Sequence, residues 1–320
     1  MKINRDIACL LVLLLACGAA HAQTYPGKLI RLVVPFSPGG GLDATARMVA
    51  DKLGAALGQS VLIENRPGAG GNIGIVYVAK APPDGYTFLI MSSNFPINPS
   101  IYANAGYDPF RDFEPVSALT SYMLFLVSHP SMPIRNVKAL IAIAKSPSSR
   151  LSYASGGIGT ASHFGGELFN HLTGVRITHI PYKGTGPAIY ETVGGQVPIM
   201  FGVPEVVPHI KAGKLTLIAV TGSGRSGIFP DAPTVAESGV PGYEMTSWHG
   251  LFAPAGTPAP IIKRLNDEVR RVLGQPDALE VLRKHSFDMI AGTPQELTAL
   301  VKTTHSRLSK VVRDAGMKAD

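Results

Sequence analysis

Pro35-Phe36-Ser37-Pro38-Gly39-Gly40-Gly41-Leu42-Asp43 joins an apolar run, residues 29–34, to a helical pattern that begins near Leu42. An apolar run broken only by Arg31 reads as a strand buried along most of its length, the kind found in helix-covered α/β sheets. Three consecutive glycines at a strand-to-helix junction let backbone N–H groups approach a ligand, and the helix start behind them favours negative charge. The stretch therefore predicts an α/β fold with an anion cradle. Over residues 42–57, Leu42, Val49, Leu53 and Leu57 form an apolar stripe, and Asp43, Arg47 and Asp51 are expected as paired charges on the outer side.

Outward from there, residues 60–64 read as a second strand and 86–91 as a third, after the turn Pro82-Pro83-Asp84-Gly85. A second unit starts after residues 121–127, with new alternation at 137–145, 151–154, 164–172, 177–180, 197–201 and 215–221. Residues 222–234, with Pro230 and Pro233, form a polar loop, and 247–253 a further strand. Two helices follow. Thr257 is the expected N-cap of the first, with Pro258 at its first position; Thr293-Pro294-Gln295-Glu296 is a capping box for a long charged helix to Ala315 that packs on the first unit. Strands alternating with helices imply parallel sheets.

A chain of 320 residues, 45% hydrophobic, buries a large core and is expected to form two domains, while 35 glycines and 26 prolines imply short elements and tight turns. Residues 1–22 read as a signal peptide: Lys2 and Arg5, an apolar run over 7–16, and an Ala20-His21-Ala22 site with cleavage before Gln23. The expected location is the periplasm. A rival reading takes Leu14-Leu15-Ala16-Cys17 as a lipobox with a lipidated Cys17. Both cysteines, Cys9 and Cys17, lie in this segment, so cleavage before Gln23 removes every thiol and with it disulfides, cysteine nucleophiles and thiolate metal sites. The formal charge of +7 attracts anions, but Lys and Arg are scattered singly, which speaks against nucleic acid as a partner.

Three further loops resemble the first: Arg66-Pro67-Gly68-Ala69-Gly70-Gly71-Asn72, Ser155-Gly156-Gly157-Ile158-Gly159-Thr160-Ala161-Ser162-His163, and Lys183-Gly184-Thr185-Gly186-Pro187. Each glycine alone also reads as a turn. Together they suggest a ligand held between two lobes, because ligands of open α/β sheets bind outside the carboxyl ends of the strands. Enzyme signatures fail. Gly222-Ser223-Gly224-Arg225-Ser226-Gly227 has dinucleotide spacing, but residues 228–233 do not continue as a helix. His163, His171 and His179 recur every eight residues without sharing a face at metal-ligand spacing, so His171 and His179 read as core or surface residues. His163 opens a helix beside Thr160 and Ser162, where a ring N–H meets an anion. No carboxylate pair marks the glycine loops, so no catalytic residue, metal or cofactor is expected.

Pro35 to Asp43, Asn65-Arg66-Pro67-Gly68-Ala69-Gly70-Gly71-Asn72-Ile73-Gly74, Pro181-Tyr182-Lys183-Gly184-Thr185-Gly186-Pro187-Ala188, Pro208-His209-Ile210-Lys211-Ala212-Gly213-Lys214 and Leu251-Phe252-Ala253-Pro254-Ala255-Gly256-Thr257-Pro258 resemble the Bug family along the whole mature chain. Members are extracytoplasmic solute receptors of tripartite tricarboxylate transporters. The resemblance implies a type II periplasmic binding-protein fold: two α/β lobes joined by two crossing strands, with a ligand cleft between them. It places lobe 1 at residues 23–125 and 248–320 and lobe 2 at 126–247, in a monomer that passes a small carboxylate to membrane subunits. It further implies a second-lobe clamp of Gly159, Thr160, Ser162, His163 and Gly184, and first-lobe contacts from Phe36, Pro38, Gly39, Gly40 and Ser93 or Asn94.

One departure bears on the ligand. Many family members carry an acid directly after the strand at 197–201, where this chain has Gly202 followed by Val203, Pro204 and Glu205. An acid there suits a ligand amino group, so Gly202 is read as favouring a dicarboxylate without one. Phe36, Phe95, Phe201 and Trp248 are candidates for an apolar lining that admits an aromatic dicarboxylate, with core packing the other reading for Phe201 and Trp248. A ligand-sensing subunit of a signalling system and an exported carboxylate-processing enzyme remain the alternatives.

Overall fold

The structure is a computed structural model that describes residues 25–319. The signal-peptide and Cys17 readings lie outside the described residues. Strands β1 (Ile30–Val34), β2 (Val61–Asn65), β3 (Thr87–Ser92) and β4 (Phe113–Met123) enter the first sheet, and β5 (Phe125–Ser128), β6 (Ser152–Ser155), β7 (Thr178–Pro181), β8 (Ile199–Gly202) and β9 (Thr216–Val220) make the second. The chain then returns to the first sheet through β10 (Thr246–Pro254) and β11 (Asp288–Met289). The strand orders are β11-β4-β10-β3-β1-β2 and β7-β6-β8-β5-β9.

β1 is buried except at Arg31 and pairs in parallel with β2 and β3, as its apolar run requires. The sheets are not wholly parallel, however. β10 runs antiparallel to β3 and β4, and β5 antiparallel to β8 and β9. The cause is the crossing itself, since a chain that leaves one sheet for the other and returns enters each with a strand against the rest. β4 is also longer than its apolar pattern suggested, because Glu114 and Pro115 interrupt that pattern at its start.

Helices α1 (Gly41–Leu57), α2 (Asn72–Ala79) and α3 (Asn98–Ile101) follow the first three strands, and α4 (Val137–Ala144), α5 (Ala161–Thr173), α6 (Thr185–Val193) and α7 (Val207–Lys211) follow strands of the second sheet. α8 (Ala259–Leu273), α9 (Pro276–Lys284) and α10 (Pro294–Ala315) complete the chain. The cap of α8 is Pro258 rather than Thr257, whose hydroxyl turns back to Pro254 O at 2.7 Å. The capping box of α10 forms as read: Thr293 Oγ1 accepts from Glu296 N–H at 3.2 Å, and Glu296 Oε2 accepts from Thr293 N–H at 2.6 Å. α9 escaped the pattern because it buries only Ala278 and Leu282. α10 packs on β4 and also on α5, with His171 facing Asp314 at 3.5 Å.

The crossing is tied by one side chain. Thr221 Oγ1 accepts from Leu124 N–H at 2.7 Å and donates to Met245 O at 2.6 Å, while Thr221 N–H reaches Leu124 O at 3.0 Å. Leu124 separates β4 from β5 and Met245 precedes β10, so this fully buried threonine joins both passages between the sheets.

Candidate ligand-binding site

α1 begins behind Gly40, which has extended backbone and no side chain to cap the first turn. Two carboxylates of the protein serve this loop instead. Asp43 Oδ2 accepts from Gly39 N–H at 3.0 Å and from Arg47 Nε at 2.8 Å, and Asp43 Oδ1 accepts from Asn65 Nδ2 at 3.0 Å. Asp43 is therefore buried, at 4% exposure, and not on the outer side of the helix with Arg47 and Asp51. Burial raises its pKa, but the bonds from Arg47, Asn65 and Gly39 together outweigh this and hold the carboxyl below its ordinary range. Phe36 O accepts from Asn65 Nδ2 at 3.0 Å, which fixes the loop's approach, while Pro38 and Gly39 are exposed.

The second carboxylate comes from the other sheet. Glu205 lies in a short 3₁₀ turn, Pro204–Val206, after β8, and its Oε1 accepts from Gly41 N–H at 2.6 Å. The residue is half-buried but its carboxyl end is enclosed, and Oε2 has no hydrogen-bond partner among the described residues. Burial raises its pKa, against the lowering effect of the backbone bonds it accepts. Gly202 explains why the acid stands three residues later than a strand-end acid would. A Cβ at Gly202 would lie 2.5 Å from Val206 Cγ1, so a side chain there requires Val206 to move.

Ser93 and Asn94 are buried, with their polar atoms engaged inside the protein. Ser93 Oγ shares a hydrogen bond with Ser247 Oγ at 2.7 Å, and Asn94 Nδ2 donates to Gly70 O at 3.1 Å. Asn98 Nδ2 reaches the same carbonyl at 3.0 Å and Asn72 Oδ1 at 2.8 Å, so both asparagines brace the glycine loop ahead of α2.

The loop ahead of α5 is arranged differently. Its N-cap, Thr160, turns its hydroxyl away to Gly157 O at 2.8 Å and makes no cap bond. The first-turn amides of Ala161, Ser162 and His163 are thus left without a side-chain cap, unlike α4, where Asn136 Oδ1 accepts from Ala139 N–H at 2.9 Å. Ser162 Oγ has no hydrogen-bond partner among the described residues. His163 Nδ1 accepts from Gly159 N–H at 3.1 Å, which assigns the ring proton to Nε2 and makes that atom a donor. Gly184 N–H donates to Gly156 O at 3.1 Å and so joins the α5 loop to the α6 loop.

The structure brings His163 and His179 together, contrary to the reading from spacing. Their rings stack at 3.8 Å, and His179 stacks in turn on Tyr153 at 5.0 Å. Burial, then the neighbouring His179, lowers the pKa of His163 to about 3, and burial lowers that of His179 to about 4, so both are neutral near pH 7. Stacked rings aim their nitrogens at separate partners rather than at one ion, and among the described residues no cluster has the make-up of a metal site. Ser155 Oγ and His179 Nε2 lie 2.6 Å apart, but Ser155 is fully buried and also bonded to the Gly157 backbone, so this pair is a structural bond.

The two sheets meet at the site. A Cβ on Gly159 would lie 3.3 Å from Asn98 Oδ1 and 3.5 Å from Ile101 Cδ1, so the α5 loop rests on α3. Three of the four aromatic candidates belong to the core. Phe95 packs on Tyr107 and Phe252, Phe201 on Tyr153 and Phe169, and Trp248 Nε1 donates to Thr304 Oγ1 at 2.9 Å; only Phe36 is partly exposed beside the loops. Their large rings fill the space behind the strands, which removes the apolar lining drawn from them. Two open depressions of about 460 and 540 Å³, one beside β11 and one between α5 and α10, involve none of the glycine loops. Glu205, Asn98 and Thr221 were missed by the sequence reading. Only Glu205 had a visible signal, as a lone acid just past a strand end opposite a glycine-rich helix start.

Residues 45–317 match the family described as tripartite tricarboxylate transporter family receptor. The chain belongs to that family. Protein BugT of Bordetella pertussis is 36% identical over 324 residues, covering 99% of this chain and 99% of BugT. Among solved structures, R. palustris Rpa4515 with adipate is 38% identical with a TM-score of 0.87, over 92% of this chain and 99% of its own. MatC from Rhodopseudomonas palustris, with bound malate, is 34% identical with a TM-score of 0.84, over 90% of this chain and 100% of its own. The protein is thus a solute-binding receptor of the Bug type with the type II periplasmic binding-protein fold.

Proposed function

We propose that this receptor works in the periplasm, captures a small carboxylate between lobes at residues 23–125 with 248–320 and at 126–247, and passes it to the membrane subunits of a tripartite transporter. The observation that carries this reading is the α5 loop, which leaves its first-turn amides without a side-chain cap, carries Ser162 and the Nε2–H of His163, and rests on α3. Charge-assisted bonds from such donors stabilise a carboxylate by about 1.5–3 kcal/mol each, which offsets its desolvation without a buried arginine. Gly159, Thr160 and Gly184 shape that clamp, and Phe36, Pro38, Gly39 and Gly40 face the far end of the ligand. The adipate and malate named with the two solved relatives support a carboxylate as the ligand class. Gly202 no longer argues against a ligand amino group, because Glu205 brings an acid to the same region. A thermal-shift screen of mono-, di- and tricarboxylates tests the reading. A ligand at 100 times its Kd should add about 2.7 kcal/mol of stability, and no response across the panel would overturn it.

A further inference from the structure

We propose that Glu205 couples closure of the receptor to proton uptake: when the two units close on a ligand, its carboxyl is sealed between them and binds a proton, so ligand is held more tightly as pH falls. The inference rests on closure over a carboxylate as read above and adds a regulation of it.

Three observations carry it. First, Glu205 bridges the two units. It stands in the turn after β8 of the second sheet, and its Oε1 accepts from Gly41 N–H at 2.6 Å at the start of α1, which follows β1 of the first. Second, the fit round this bond is close. A Cβ on Gly41 would lie 2.6 Å from Phe287 Cζ and 2.8 Å from Glu205 Oε1, and Phe287 packs in turn on Tyr122 at 5.5 Å and His249 at 5.2 Å. A hydrogen bond is lost beyond about 3.5 Å, so parting the units by about 1 Å here breaks it, and wider opening lets water reach the carboxyl. Third, Glu205 Oε2 is enclosed with no hydrogen-bond partner among the described residues. An ionised carboxyl so placed has lost its water at one oxygen with nothing in return, a penalty the neutral acid does not carry.

Burial accordingly holds its pKa above the ordinary 4.5, against the bonds it accepts from its own backbone and from Gly41. The titratable and charged groups of the surrounding elements do not relieve it. Tyr122 of β4 and His249 of β10 are uncharged near pH 7, since burial raises the pKa of the first and lowers that of the second. Asp43 of α1 is bonded to Arg47, Asn65 and Gly39. His285, after α9, stacks on Phe287 at 6.2 Å, and His209 of α7 is the next titratable group along the second unit. None of them bonds Oε2. In the open form the hydrated carboxyl ionises at its ordinary pKa, whereas the closed form keeps its proton to higher pH. Between those two values each closure binds a proton; above both, the two forms are ionised alike and the dependence levels off.

Calorimetric titration near pH 6, in two buffers of different ionisation heat, counts the protons exchanged on binding. The probes are adipate, malate and every further carboxylate that responds in the thermal-shift panel. The proteins are the wild type, Glu205→Gln, which keeps an oxygen for Gly41 N–H but takes up no proton, and Glu205→Ala. The wild type should take up more protons per ligand bound than either variant, and its affinity relative to Glu205→Gln should fall by about tenfold from pH 5 to pH 7. Protons exchanged by the ligand and by the histidines are common to all three proteins, and a merely structural bond would change affinity equally at every pH. Binding with equal proton counts and parallel pH profiles in the wild type and both variants would overturn the role of Glu205 while leaving the carboxylate reading intact. Failure of every carboxylate in the panel would instead remove that reading and this inference with it.

Discussion

The starts of α1 and α5 look alike as sequence, each a run of glycines between a strand and a helix, yet they are put to opposite uses. Around α1 the loop amides are bonded by the protein's own carboxylates, Asp43 at Gly39 and Glu205 at Gly41. Around α5 the cap hydroxyl turns away, no carboxylate among the described residues is bonded to the first-turn amides, and His163 is held neutral with its N–H on Nε2. Glycine at a helix start makes an anion site available, but which anion fills it is decided by residues far off in sequence. Here one helix start is bonded from within, and the other has no carboxylate among the described residues bonded to it.

The largest effect should come from the filled loop. Asp43→Ala removes the acceptor of Gly39 N–H and one of the two acceptors of Asn65 Nδ2, so urea unfolding should show a loss of about 2 kcal/mol, with little of it due to the exposed Arg47 pair. Because the folded pKa of Asp43 is depressed, its stabilisation is present above the ordinary carboxylate range and fades as pH falls through the folded value. An acid titration of wild type against Asp43→Ala should therefore converge at low pH. In the open loop, Gly159→Ala places a Cβ in left-handed backbone, at φ 79°, against Asn98 and Ile101. Ligand affinity should fall by about tenfold to a hundredfold, a cost of about 1.4–2.7 kcal/mol, beside a loss of about 1 kcal/mol in unfolding free energy from the left-handed backbone. An unchanged affinity would mean that the contact of the α5 loop with α3 is not part of the ligand-bound state.

Smaller effects separate hinge from site. Thr221→Val leaves Leu124 N–H and Met245 O without their side-chain partner and should cost about 1–2 kcal/mol in unfolding experiments. The neutral histidines predict a pH limit. His163, His179 and the fully buried His249 have folded pKa values of about 3, about 4 and about 3, below the ordinary value of about 6.5 for an unfolded chain. The unfolded state takes up protons first, so stability is full above about pH 6.5 and falls as pH drops toward 4. His163→Asn should flatten part of that slope. Affinity should change less than about twofold between pH 7 and 8, since the His163 ring stays neutral throughout.

The fold was legible where local chemistry decides it. The buried run at β1, the glycine stops and the Thr293 capping box all appear as read, because each depends on residues within a few positions of one another. Antiparallel β10 and the length of β4 were not legible, since they follow from the chain's passage between two sheets. At the site, the glycine loops and His163 were recognisable by type. Their state of occupation was not, because the contact between Glu205 and Gly41 spans 164 positions in sequence. The aromatic candidates divided for a related reason: Phe201 and Trp248 follow their core reading, Phe95 joins them, and Phe36 stays beside the loops, since a large ring near a strand end fits core and cleft equally well until packing is known.

The proposed function requires the α5 start, not the α1 start, to hold the carboxylate. Backbone amide chemical shifts of ¹⁵N-labelled protein, followed by NMR during titration with the tightest carboxylate of the thermal-shift panel, test it most directly. The account predicts the largest shifts at Ala161, Ser162 and His163, with smaller ones at Gly39 and Gly41 that report closure. Shifts concentrated at Gly39, Gly40 and Gly41, with residues 161–163 unmoved, would contradict it.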